Sequence, residues 1–362
     1  MDNFPISSLR VALKTADLGQ MLKLLKISWK LLNSPAYRQQ IAADLPESAR
    51  FCPGNAAVMM GYDFHLSDQG PRLIEINTNA GGAGLALRAC RGEPQPTPSL
   101  QRRLLQMFQG EWQAFRPGRP LQTVAIIDEH PQEQWLYPEM KRFGQWLGRE
   151  GISVVIADPS QLEINRAGLF YAGQPIDLIY NRHCDFYLET PEMAQIQRAY
   201  LQRQVCLTPN PFVYGHLADK RRQNLWRNPV AMHEAGLKAA EIEVLQQMLP
   251  ESHLLAELGI DRAWDMRKDL VFKPVDRFGS KGVFVGKSIS RKRFNELEPQ
   301  LTIAQQLVLP SQLKDAASQS YKADLRLFAW RNHALGVAAR LYQGQVTNLN
   351  TEGGGFAAVD LV

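Results

Sequence analysis

Apolar residues recur at helical spacing through SLRVALKTADLGQMLKLLKISWKLL, and the pattern predicts helix across residues 8–50, broken at Ser34-Pro35 and resumed in AYRQQIAADL. The texture then changes. AVMMGYDFHL (57–66) and RLIEIN (72–77) are short extended runs joined by SDQGP, which reads as a hairpin. Side chains alternate along a strand, so Asp63 and His65 share one face, as do Glu75 and Asn77. Closing the hairpin through SDQGP sets Asp63 opposite Glu75 and His65 opposite Leu73. GEPQPTP (92–98) marks a boundary, and residues 93–118 read as a spacer.

A second pattern begins near residue 121. TVAIIDE is a buried-type strand, residues 133–151 form an amphipathic helix, SVVIAD is a second strand and IDLIYNR (176–182) a third. Strand, helix and strand at these lengths predict a parallel βαβ unit. Residues 191–204 are helical and TPNP follows; residues 211–268 read as mostly helical. DLVFKPVDRFGSKGVFVG is strand, glycine-rich loop, strand; FNELEPQ is a short helix, AQQLVLP a strand, and residues 324–349 run as strands around turns.

Composition narrows the setting. The chain has 362 residues, 45% of them hydrophobic, enough for more than one domain, and a net charge of +5 from scattered basic residues. Clusters such as Arg291-Lys292-Arg293 are too short for a nucleic-acid stripe, while a mild positive excess suits an anionic small ligand. Cys52, Cys90, Cys184 and Cys206 lie far apart, without zinc spacing, and no long apolar run points to a membrane span. The expectation is a cytoplasmic protein of small-molecule partners, with no nucleic acid and no membrane; a homo-oligomer is compatible with it.

Several stretches carry chemistry. In KPVDRFGSKGV (273–283), Gly279, Ser280 and Gly282 make a loop whose amides can close over phosphates, or an ordinary hairpin turn. It lacks the P-loop spacing, and a strand follows it, which excludes a dinucleotide fingerprint. Lys273, between Val271-Phe272 and Pro274, needs an anionic partner if it points inward. Asp63 and Glu75 face each other across the hairpin, where two carboxylates repel unless a cation or proton lies between them. Asp, Glu and the Asn77 carbonyl are hard oxygen donors that suit Mg²⁺; a solvent-facing polar hairpin is the plainer alternative. Asp324 and Arg326 share a strand face, and Arg340 sits in an apolar stretch that calls for a buried acid or anion. Arg182, in RHCDF after the third strand, either pairs with a substrate carboxylate or caps the core.

Together these stretches resemble the ATP-grasp superfamily, and glutathione-synthetase-like ligases in particular. The likeness covers residues 55–85 and roughly 119–362. It implies an α/β fold, with α+β grasp lobes and a parallel βαβ pre-grasp domain, and ATP with Mg²⁺ (or Mn²⁺) as cofactors. Asp219-Lys220 and Lys273-Pro274 match the lysines that contact phosphates, and Gly279, Ser280 and Gly282 the loop that covers them. Gln305, Gln306, Leu307 and Val308, before Pro310, match the hinge that presents backbone to adenine. Arg326 and Arg340 match catalytic arginines. Arg182, Asn348, Gly353, Gly354 and Gly355 are the corresponding substrate contacts. Asp63, Glu75 and Asn77 match the metal ligands, but they come first in this chain instead of last. Joining residue 362 to residue 1 restores the usual order, so the resemblance implies a circular permutation. The domains follow: 1–92 as the permuted end of the grasp lobe with its hairpin at 55–85, 93–118 as linker, 119–210 as pre-grasp domain, 211–310 and 311–362 as the two grasp lobes, the last packing on 1–92. The implied function is an ADP-forming carboxylate–amine ligase acting on a small acid and a small amine. A kinase of the same fold, or a nucleotide-binding protein without turnover, uses the same parts.

Overall fold

The computed structural model describes residues 6–89, 98–275, 282–345, 347 and 351–362. Its largest sheet has seven strands, in the order Ile6–Leu13, Gly355–Leu361, His333–Tyr342, Ser320–Trp330, Met60–Ser67, Gly70–Asn77, with Ser311–Lys314 paired to Ser320–Trp330 beside the hairpin. The first pair is parallel and the others are antiparallel. The two ends of the chain thus share one sheet with the hairpin.

Helix was expected from residue 8, but residues 6–13 form a strand and the helix starts at Thr15. Ser7, Val11 and Leu13 are buried while Ser8, Arg10 and Ala12 are exposed, an alternation of two that the overlapping helical spacing obscured. Pairing with Gly355–Leu361 decides the conformation, and a sequence distance of some 350 residues hides that partner. The Arg10 guanidinium seals the pair, donating to Asp360 at 2.8 Å.

One face of this sheet packs on helices Thr15–Leu32 and Ala239–Met248 through Leu24, Leu31, Phe64, Leu73, Leu245 and Leu325. The other face packs on helix Pro98–Phe115 through Phe328, Ala338 and Phe356. That helix falls where a spacer was expected. Its Leu104 and Phe108 join the large sheet to a second one, so it fills the space between two layers.

The second sheet is parallel throughout, in the order Cys206–Thr208, Leu178–Asn181, Thr123–Ile127, Ser153–Ala157, as the βαβ pattern predicted. Helix Tyr137–Arg149 covers one face and Ala194–Leu201 the other. The chain steps from Thr123–Ile127 outward to Ser153–Ala157, then crosses to Leu178–Asn181 on the opposite side. The strand order therefore reverses between Thr123–Ile127 and Leu178–Asn181. A third, antiparallel sheet of Ser252–Leu254, Thr302–Gln306, Leu270–Pro274 and Phe284–Val285 has its own small core around Phe272 and Phe294. Among the described residues no helix is long and apolar enough to cross a membrane.

Candidate functional site

The hairpin faces Asp63 with Glu75 and Gly61 with Asn77. The register then slips: Phe64 pairs with Leu73 and His65 with Arg72, so Ile74 is an extra residue and His65 does not stand opposite Leu73. This bulge sets the site. In an unbroken strand Leu73, Glu75 and Asn77 would share one face. With one residue inserted, Leu73 and Ile76 are buried in the core while Ile74 and Glu75 line the cleft on the other side. The Ile74 carbonyl instead accepts from Lys273 Nζ at 3.3 Å and Gln223 Nε2 at 3.4 Å.

Beside the hairpin lies a cluster of charges. Arg326 binds Asp63 with two parallel hydrogen bonds of 2.7 Å, Nε to Oδ1 and Nη2 to Oδ2. Arg340 Nη2 lies 2.9 Å from the same carboxylate, and its Nε donates to Asp324 Oδ1 at 2.6 Å. Thr347 Oγ1 donates to Asp324 Oδ2 at 2.7 Å. Burial alone would raise the Asp63 pKa, but Arg326 and Arg340 override it and hold the carboxyl well below the usual range. The Asn77 amide bridges the facing acids, donating to Asp63 at 3.1 Å and Glu75 at 3.2 Å. The cation expected between the two carboxylates is thus arginine on the Asp63 side. Asp63, expected as a metal ligand, orients both guanidiniums.

The remaining donors suit a metal in part. Glu75 lies on the wall common to the two main cavities, with Asn77 beside it. Among the described residues no group of three or more acidic, histidine or cysteine side chains is placed to hold a metal. Two oxygen-donor side chains fit Mg²⁺, which draws much of its shell from water and phosphate.

The first cavity, of about 440 Å³, runs between the large sheet and the third sheet. Val271, Val285, Leu307 and Leu309 give it apolar walls, and Lys273, Asp324, Arg340 and Thr347 form its polar end. Lys273 is buried, donating to Gln305 Oε1 at 2.6 Å, and Gln305 in turn donates to Gln223 at 3.0 Å. Burial lowers the Lys273 pKa to about 8, with Glu75 pulling it back up. Lys220, half-buried just before helix Arg221–Trp226, is near enough to depress it further. Gln305, Gln306, Leu307 and Val308 all line this cavity. His65 closes its edge, with Nδ1 at 2.7 Å from the Val308 carbonyl.

The second cavity, of about 370 Å³, shares Glu75, Arg340 and Thr347 with the first and opens toward the parallel sheet. Arg326, Asn77 and Asn79 line its near wall, and Asp128, Arg182, Cys184 and Phe186 its far wall. Arg182 is buried and donates Nη1 to the Asn79 carbonyl, while Asn79 Nδ2 donates back to the Arg182 carbonyl at 3.3 Å. Behind it, buried Glu139 accepts from the amides of Gly82 at 2.7 Å and Gly84 at 3.2 Å. Arg182 therefore clamps the loop after the hairpin as well as facing the cavity.

Other expected contacts fall elsewhere. Gly353, Gly354 and Gly355 line neither cavity. A side chain at Gly353 would collide with the Tyr321 hydroxyl and one at Gly354 with the Leu341 carbonyl, so these glycines serve a close-packed turn into strand Gly355–Leu361. Gly282 takes φ +75° and lines a separate small pocket with Pro274 and Phe284. Gly279, Ser280 and Asn348 lie outside the described residues. Sequence reasoning passed over Gln223, Glu139 and Asp128. The position of Asp128 directly after the strand TVAII was a readable signal, because ligands of parallel sheets gather at the carboxyl ends of strands. Gln223 and Glu139 gave none; their partners are remote in sequence.

No protein-family model matches the sequence, and no curated protein matches it by sequence. Solved structures do match it by shape. A glutathione synthetase-like effector from Globodera pallida superposes with a TM-score of 0.64 at 12% identity, covering 99% of this chain and 90% of the other. A putative gamma-glutamylcysteine synthetase from Methylobacillus flagellatus gives 0.57 at 12% identity, covering 97% and 90%.

Proposed function

We propose that this chain, which has the glutathione-synthetase-like ATP-grasp fold, is an ATP-dependent ligase that joins a small carboxylic acid to a small amine. The observation that carries this reading is the meeting of two cavities at one charged wall. One is apolar-sided and ends at a buried lysine; the other is polar and ends at two arginines. The first suits a nucleotide, with its base between Val271 and Leu307 and its phosphates toward Lys273 and the neighbouring charge of Lys220. The second suits the molecules to be joined.

The chemistry follows from that division. A substrate carboxylate oxygen attacks the γ-phosphorus, and the bond to the β-phosphate oxygen breaks, releasing ADP and leaving an acylphosphate. The amine nitrogen attacks the acyl carbon, inorganic phosphate leaves, and the amine loses its extra proton. Arg340, on the wall shared by both cavities, faces the phosphoryl group in the first step and the oxyanion in the second. Arg326 supports the same charge from the acid side, and Asp63 and Asp324 hold the two guanidiniums in place. Glu75 and Asn77 would hold Mg²⁺, which when bound neutralises charge on the phosphates. The element order fits a circular permutation, since a hairpin from residues 60–77 completes a sheet otherwise built from the two chain ends.

The test is a matrix of acids and amines scored for ADP. A ligase forms ADP only when both are present, and Glu75→Gln removes most of that turnover. A stable phosphorylated product with no amine requirement would make the protein a kinase. Turnover indifferent to Glu75→Gln would end the metal assignment.

A further inference from the structure

The chain that leaves strand Leu178–Asn181 touches both halves of the site. Arg182, Cys184 and Phe186 line the second cavity. Tyr187, the next residue, does not; its hydroxyl donates to Asp219 Oδ2 at 2.8 Å, one residue before Lys220. The segment between these points is tied down. Asp185 accepts the amides of Tyr187 at 3.3 Å and Thr190 at 2.7 Å, and the Tyr187 carbonyl accepts from Ser48 Oγ at 2.8 Å.

Both aromatic residues grip the turn that carries Lys220. Phe186 stacks on Tyr214 with ring centres 4.3 Å apart and planes 12° apart, and Tyr187 meets the same ring edge-on at 5.0 Å. Tyr214 opens a single π-helical turn, Tyr214–Ala218, which the Asp219 amide closes by donating to the Tyr214 carbonyl at 3.0 Å. Single π turns recur at functional sites. The Asp219 carboxylate is buried. Arg221 donates its amide at 3.0 Å and Nε at 2.9 Å to Oδ1, and Nη2 at 2.5 Å to Oδ2. Among the described residues the Tyr187 hydroxyl is the one hydrogen-bond donor to this carboxylate from outside the turn. Removing it leaves a buried charged acceptor short of a partner, which favours a shift of the turn. Lys220 lies between Asp219 and Arg221 in the chain and moves with them, and its charge reaches Lys273 at the polar end of the first cavity.

We propose that Tyr187 is a positioning residue for Lys220, and that through it the far wall of the second cavity and the phosphate end of the first respond to each other. A ligand against Phe186 holds that ring on Tyr214 and steadies the segment; a ligand on Lys220 steadies the turn. Each lowers the ordering cost met by the other, so the effect is reciprocal. The coupling rests on the reading of the first cavity as a nucleotide site.

The test compares ADP with adenosine, which has no phosphates, by calorimetry on the full chain. Tyr187→Phe should weaken ADP by about fivefold or more, the lower end of ordinary coupling between sites, and leave adenosine unchanged. Lys220→Met should show the same selectivity, and adding Tyr187→Phe to it should change nothing further. That double-variant cycle carries the test on ADP alone where adenosine binds too weakly to measure. Saturating ADP should also slow iodoacetamide labelling of Cys184, which lines the second cavity, and not of exposed Cys52, and Tyr187→Phe should lose this protection at saturating ADP. Equal weakening of ADP and adenosine, additive losses in the double variant, absence of protection in the unaltered chain, or protection that survives Tyr187→Phe each overturns the proposal and leaves the nucleotide site standing. Failure of the unaltered chain to bind ADP removes the nucleotide reading and the coupling with it.

Discussion

Lys273 and Asp128 are buried ionisable groups on opposite sides of the site, and each is charged at neutral pH at some cost to the empty protein. Lys273 falls from 10.5 to about 8 because burial disfavours its cation. Its unfolded form holds the proton more tightly, so the penalty is full below pH 8 and gone above 10.5. Asp128 rises from 3.8 to about 6, so its penalty is full above pH 6 and gone below 3.8. At 1.36 kcal/mol per pKa unit each penalty is on the order of 3 kcal/mol. Two predictions with opposite pH dependence result. Lys273→Met should raise Tm at pH 7, with the gain fading as pH climbs toward 10, and should lower ATP-dependent turnover by about 100-fold or more. Asp128→Asn should raise Tm at pH 7.5 and not at pH 4. Thermal melts across pH check both, and a loss of Tm at pH 7 in either variant would show that the group is stabilised by partners inside the fold. Lys273 was legible in the sequence because a lysine in an apolar strand stands out. Asp128 was not singled out, because an acid at the end of a strand looks like any polar turn residue until the reversal of strand order beside it is known.

At the scale of elements the bulge at Ile74 separates what sequence could and could not reveal. Period-two alternation placed Glu75 and Asn77 on one face, and the facing of Asp63 and Glu75 followed from the loop length. It also put Leu73 on that face, which cannot hold, since Leu73 is fully buried in the core opposite the cleft. One extra residue resolves the conflict, and a single sequence does not announce such an insertion. Strand Ile6–Leu13 is a similar case, where a helical spacing and a strand alternation overlap and a distant partner decides. The bulge makes a sharp prediction. Removing Ile74 restores a regular ladder, so either Leu73 or Glu75 must change face. Deletion of Ile74 should abolish turnover and lower Tm. Ile74→Ala, which keeps the backbone and its carbonyl to Lys273 and Gln223, should retain most activity. Measuring ADP formation and melting for the pair checks the claim, and equal behaviour of the two variants would mean that the extra residue does not set the face of Glu75.

For the whole molecule, the βαβ layer and the strand-rich C-terminal third were readable because their partners are close in sequence or strongly patterned. The helix Pro98–Phe115 was missed because it follows a Pro-rich stretch and shows its purpose only between two sheets. The proposed permutation is the largest-scale claim, and the geometry of the chain ends sets its terms. The Val362 amide donates to the Leu13 carbonyl at 3.0 Å and the Thr15 amide to the Val362 carbonyl at 2.9 Å, so the C-terminus lies at the far end of the first strand, not at its start. A link from Val362 back to Ile6 must run the length of that strand, about 26 Å at roughly 3.3 Å per residue, which about ten flexible residues span. A chain opened in the Pro-rich stretch, starting at residue 98 and running through such a linker to residues 6–89, would carry the hairpin last. Every strand pairing of the large sheet is kept in that order, and loop closure grows only slowly with length. The permuted chain should therefore fold with an unchanged circular dichroism spectrum, melt within a few degrees of the original and keep the same acid–amine requirement. A chain that folds without turnover would place an essential role in residues 1–5 or 90–97, the two stretches it omits; one that fails to fold would show that the hairpin has to be made first for the sheet to close around it.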